Sequence, residues 1–184
     1  CMQCAGNQFF NVQGSNTYIL AGYPWFKCRA RDMFVSLPGL ALSQGHVEEF
    51  ERVMKTARVA IEDFINGKES DCKIYEMEQP DVLLWAIWTL QQYAKECSIE
   101  ACRDKYGDLV MKIYDFIRNN RHSNLRVTQN GLLATNGRDK AVTWMNSVAN
   151  GRPVVPRTGY VVEINALWYN ALKFIEEMAV LTNN

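Results

Sequence analysis

Neither sign of charge dominates this chain: 20 lysines and arginines offset 20 aspartates and glutamates over 184 residues. A neutral balance argues against nucleic acid or an anionic membrane surface as a partner. No apolar run reaches the roughly 18 residues that a membrane helix needs. The opening C-M-Q-C-A-G-N-Q has no basic region followed by an apolar one, so it does not read as a signal peptide. It also lacks an initiator methionine, which reads as a fragment or a processed product. Histidine is scarce: His46 and His122 are the two present, and neither falls in an HExxH pattern. There is no Ser-His-Asp ordering, no Walker loop and no GxGxxG. Fixed-period repeats, low-complexity tracts and linkers rich in proline and serine are missing as well.

Six cysteines are present: Cys1, Cys4, Cys28, Cys72, Cys97 and Cys102. Disulfide scaffolds are usually shorter and poorer in core residues, so these read as reduced thiols of a cytoplasmic protein. Cys1-x-x-Cys4 has no second pair to complete a zinc site, and it does not follow a strand and open a helix as a redox pair does. Neither a metal nor a cofactor is expected.

What the chain has is apolar residues at helical spacing. Asp32 to Leu40 can be helical, with Pro38-Gly39 breaking or kinking it. After Ser43, a candidate cap, Val47, Phe50, Val53, Met54, Ala57, Ala60, Ile61, Phe64 and Ile65 fall on one face, and Asn66-Gly67 ends the helix. A second long helix follows Asp81. A third starts at Ser98 and stops near Asn119-Asn120. A last one runs from about Ile164 to Leu181. Residues 8–19 read as extended or irregular with a turn at Gly14-Ser15-Asn16, and Val127 to Leu133 as a short hairpin around Asn130-Gly131. The expectation is an all-α chain of helical hairpins joined by long loops and short β-hairpins. Loops of more than about 12–15 residues in a compact domain are usually functional or disordered, and these are too rich in tryptophan for disorder.

Three constellations could carry chemistry. Tyr23-Pro24-Trp25-Phe26 precedes Arg31-Asp32. Aromatic faces stack on pyranose rings while Arg and Asp bond hydroxyls, but a buried tryptophan beside a surface ion pair would look the same. Asp81 stands where an aspartate caps the helix that carries Trp85 and Trp88. Trp144 and Asn146 precede Arg152, Arg157 and Glu163 in a long loop. Glu163 opens the last helix, where the helix dipole favours a negative charge whether or not it faces a pocket.

Three ordered blocks resemble one family. A-G-Y-P-W-F…R-D-M-F-V-S-L-P-G-L-A-L, P-D-V-L-L-W-A-I-W-T-L-Q-Q-Y, and N-G-L-L-A…T-W-M-N…G-R-P-V-V-P-R…V-E-I-N-A-L-W-Y-N-A-L resemble the amylo-α-1,6-glucosidase region of glycogen debranching enzymes, from about Gln8 to Lys173. E-I-N-A-L-W-Y is more weakly similar to neutral invertases. The resemblance implies an α/α toroid whose loops form a pocket for α-glucans or branched oligosaccharides. It also implies removal, with inversion, of a single α-1,6-linked glucose. Inverting hydrolysis needs one carboxylic acid and one carboxylate about 6.5–9.5 Å apart. Matched by position, Arg31 and Asp32 would hold the terminal glucose with Trp25 nearby. Asp81, Trp144, Arg157 and Glu163 would line the same pocket. The general acid is the aspartate of the family's T-W-M-D, and here that position is Asn146.

An amide has no proton to give at a useful pKa, and general acid catalysis is typically worth about 10²–10⁴-fold. The chain is then a weakly active or inactive binding relative, or Glu163 or Asp139 supplies the proton, or the amide is a variation that suits another reaction. Lys27-Cys28-Arg29-Ala30 departs too, where the family has a tryptophan-glycine pair before Arg31-Asp32. About six helices are legible, half of a six-hairpin barrel, so residues 1–184 read as one partial domain. The family's catalytic base comes from the other half. The exposed inner helices would be covered by that C-terminal half or by self-association. The alternatives are a non-catalytic α-glucan-binding or helical interaction protein, and an invertase-like glycoside hydrolase.

Overall fold

A computed structural model describes residues 2–23 and 25–180. Cys1 of the CxxC pair, Pro24 of the aromatic segment and Leu181 at the expected end of the last helix lie outside them. Among the described residues, α1 is Met2–Asn7, α2 Ala30–Leu40, α3 Val47–Ile65, α4 Val82–Glu96, α5 Ile99–Arg118 and α6 Val162–Val180, with a 3-10 turn at Leu42–Gln44. Three antiparallel pairs accompany them: β1 (Phe10–Gln13) with β2 (Asn16–Ile19), β3 (Leu125–Val127) with β4 (Leu133–Thr135), and β5 (Val148–Ala149) with β6 (Arg152–Pro153). Helices thus carry the chain and short hairpins punctuate it, as the pattern predicts. No helix among the described residues is long and apolar enough to cross a membrane. Cys4, Cys28, Cys72, Cys97 and Cys102 are free thiols.

The chain forms two compact units: Cys1–Met77 with Thr89–Cys102, and Glu78–Trp88 with Arg103–Asn184. In the first, Ile19, Phe34, Leu37, Phe50, Met54, Ile61 and Leu90 are fully or almost fully buried. The β1–β2 hairpin turns at Gly14, whose φ of +61° suits glycine, and is tied to α3 by a 2.9 Å bond from Thr17 N–H to the buried Thr56 hydroxyl. Pro38 does not break α2. A proline withholds the N–H that the carbonyl four residues back would accept, here Phe34. The buried Thr89 hydroxyl donates to that carbonyl at 2.7 Å, so the helix continues through the proline.

Ser43 does not cap α3. Its hydroxyl bonds back to Gly39 O inside the 3-10 turn, and Gly45, at φ +74°, redirects the chain before His46 precedes the helix. Ser98 does cap α5: its Oγ accepts the Ala101 N–H at 3.1 Å. In the second unit, Leu83, Leu84, Leu109, Val110, Ile113, Leu133, Val142, Ile164, Ala171 and Phe174 are buried. Tyr114 stacks on Trp168 with centroids 5.9 Å apart, and the Trp168 indole N–H bonds Gly131 O at 3.1 Å, fastening the β3–β4 hairpin to α6.

Candidate functional site

The long loop from β4 to α6 is held by its own backbone. Thr135 and Gly159 exchange two backbone bonds of 2.9 and 3.0 Å, and the Thr135 hydroxyl donates to Arg157 O at 2.7 Å. Gly137 lies against this crossing: a Cβ there would meet Arg157 O at 2.3 Å. Glycine is therefore required for close approach. The Asn165 side chain works as an extra strand residue, accepting from Leu133 N–H at 2.8 Å and donating to Leu133 O at 3.0 Å. These contacts set Arg157 and the first turn of α6 side by side.

There the Arg157 guanidinium pairs with Glu163 Oε1, and the same oxygen accepts the Trp144 indole N–H at 3.2 Å. Arg157 has only 14% of its side chain exposed and Glu163 33%. The other terminal nitrogen of Arg157 rests on Met145 Sδ, while its Nε is buried with no hydrogen-bond acceptor among the described residues. Buried polar groups are rarely left unmet. Trp144 itself is largely exposed. It follows Thr143, a buried β-branched residue held at φ +67°, a costly conformation for its type. The Thr143 N–H donates to Gln79 Oε1 at 3.0 Å, which anchors the loop beneath Trp144. The Asn146 side chain is half-buried, two residues further on.

Asp81, in the same unit, is buried directly before α4, and its Oδ2 accepts the Trp85 indole N–H at 3.2 Å. Trp85 and Trp88 meet edge to face at 5.4 Å. Asp139 and Arg152 are exposed. Three of the expected residues, Trp144, Arg157 and Glu163, are therefore joined by direct contacts.

The remaining three belong to the first unit. Trp25 is 84% exposed at the rim of a cleft of about 520 Å³ that also involves Gln13, Leu20, Phe26, Lys27 and Tyr75. Asp32 is exposed in the first turn of α2 and Arg31 is half-buried. The departing segment 27–30 has a local logic. Cys28 and Ala30 are buried, and burial pushes the Cys28 thiol up to about 12, so it is no nucleophile near neutral pH. Arg29 lies 4.9 Å over the Phe26 ring and pairs with Glu76 at 3.5 Å.

Sequence reasoning missed the roles of Thr143, Gly137 and Asn165. It also missed the β5–β6 hairpin, whose Asn150-Gly151 turn has φ of +50° and +74° and is spelled by the same Asn-Gly pair that marks β3–β4. No curated protein and no solved structure matches the chain. A family model described as amylo-alpha-1,6-glucosidase matches residues 4–183, nearly the full length and all three ordered blocks. With that match, and with the residues of its third block meeting at the mouth of α6, the chain belongs to the amylo-α-1,6-glucosidase family of glycogen debranching enzymes.

Proposed function

We propose that the chain is part of an α/α toroid that binds the single α-1,6-linked glucose branch of an α-glucan, with Trp144, Arg157 and Glu163 as the core of the glucose pocket. The observation that carries this is the shared Glu163 oxygen between the Arg157 guanidinium and the Trp144 indole. It fixes a carboxylate, a cation and an exposed aromatic face together, the groups that grip a pyranose. Glu163 orients and accepts bonds from sugar hydroxyls. Arg157 holds the carboxylate in place. Asp81 supports the wall through Trp85. In the first unit, Trp25, Arg31 and Asp32 are proposed as sugar contacts in their own right.

Asn146 occupies the general-acid position. It can bond the glycosidic oxygen but cannot protonate it. That amide favours a binding protein with weak or no hydrolysis over a full glucosidase. The test is glucose release from a branched limit dextrin by the protein and by its Asn146→Asp variant, alongside isomaltose binding followed by tryptophan fluorescence. Isomaltose binding in both, with little or no glucose released by the Asn146 protein, supports the proposal. Absence of isomaltose binding in both refutes it. Sucrose cleavage would point to an invertase-like hydrolase instead.

A further inference from the structure

The second unit carries a separate cleft of about 560 Å³, lined in part by Arg126, Gln129, Asn130, Ala134 and Tyr160. Its construction follows from strand register. β3 pairs Arg126 with Ala134, and the antiparallel bridge between Thr135 and Gly159 lays the segment after Gly159 along the other edge of β4. Directly opposed residues of antiparallel segments point to the same face. Arg126, Ala134 and Tyr160 therefore form one row across three adjacent segments. Their neighbours Leu125, Leu133, Thr135 and Val161 are buried on the opposite face. Ala134 is the small member in the middle, so the row is a trough with a guanidinium on one wall and a phenol ring on the other.

The chemistry of the trough is selective. Tyr160 is 56% exposed, an aromatic side chain open to solvent. Arg126 is exposed and has no ion pair among the described residues. Gln129 and Asn130 add two carboxamides at the hairpin tip, and the Leu132 N–H bond of 3.2 Å to Asn130 Oδ1 fixes one of them. Among the described residues, no carboxylate lines the trough. A phosphate would call for several cations, and an apolar ligand for apolar walls. One guanidinium, two amides and a ring face suit a neutral polyhydroxylated ligand. The volume lies within the roughly 300–1,000 Å³ typical of small-molecule sites, room for more than one sugar ring. Tyr160 stands midway in sequence between Arg157 and Glu163, so the loop that carries the glucose pocket also carries this wall.

We propose that the trough over Ala134 is a second carbohydrate site, which takes consecutive α-1,4-linked glucose units of the glucan. The identity of the sugar rests on the proposed function; the existence and chemistry of the trough do not.

The test titrates the protein with maltohexaose by calorimetry, in parallel with isomaltose as the probe of the Glu163 pocket, for wild type, Tyr160→Ala, Tyr160→Phe, Arg126→Ala and Glu163→Gln. Maltohexaose affinity should fall about tenfold in Y160A and in R126A, and Y160F should keep most of it because the ring face is retained. Far-UV circular dichroism verifies that the exposed substitutions leave the fold intact. Unchanged maltohexaose affinity in both alanine variants overturns the second site, while isomaltose binding that is lost in Glu163→Gln still upholds the proposed function. Isomaltose binding absent from wild type, with Y160A-sensitive maltohexaose binding present, does the reverse. Wild-type binding of inorganic phosphate that Y160A removes would overturn the neutral-sugar assignment.

Discussion

Replacing His122 with asparagine should remove a block of pH-dependent stability. His122 is 3% exposed, packs edge-on against Phe116 with centroids 5.9 Å apart, and accepts the Asn124 N–H on Nδ1 at 3.1 Å. Burial lowers its pKa from 6.5 to about 4, against the smaller opposing pull of Glu78 and Asp81. Protonating Nδ1 would set one N–H against another. The folded-state pKa is depressed, so the unfolded chain takes up the proton first. The stabilising contribution is complete above pH 6.5 and is lost as pH falls through the window from 6.5 to about 4. Between pH 7 and pH 5 the loss is on the order of 2 kcal/mol. His122→Asn keeps an acceptor near the Asn124 N–H but does not titrate. The variant will be less stable throughout, having lost the ring. The difference between the two proteins in urea-derived stability should shrink by about that amount from pH 7 to pH 5. A constant difference across this range would refute the reasoning, as would a folded-state His122 ring resonance that titrates near 6.5.

Two further substitutions probe the scaffold. Thr89→Val is nearly isosteric but strips the Phe34 carbonyl of the donor that Pro38 cannot provide. It should cost about 1–3 kcal/mol in urea denaturation, and an unchanged midpoint would mean that the proline-containing helix satisfies itself otherwise. Gly137→Ala drives a Cβ to 2.3 Å from Arg157 O. Neither backbone can yield cheaply, so a loss of about 1–3 kcal/mol is expected, together with a change in isomaltose-dependent tryptophan fluorescence as Arg157 shifts. Wild-type behaviour in both readouts would show that the loop crossing is not tight.

The helices were legible because their residues repeat a local rule. In α3 and α5 the apolar positions recur every three or four residues, and Ser98 marks a true start. Ser43 offers the same chemistry and fails, because Gly45 turns the chain before a helix can follow. Asn130-Gly131 announced its hairpin, and Asn150-Gly151 announced another that was not read. Of the site, residue types were legible and partners were not. Glu163 stood at a helix start with either a bland or a binding role. Its pairing with Arg157 and Trp144 depends on the Thr135–Gly159 crossing.

The sequence by itself determined which segments are helical, which faces are apolar, that T-W-M-N ends on an amide at Asn146, and, through three ordered blocks, the family. Those properties are local or are counted position by position along the chain. Only the tertiary structure decided that α2 passes through Pro38, that Thr143 adopts a strained backbone beneath Trp144, and that Arg126 and Tyr160 face each other across Ala134. Each of these depends on groups far apart in sequence, Phe34 with Thr89 or Gln79 with Thr143. A hydrogen bond between such groups leaves no periodic trace in the order of the residues.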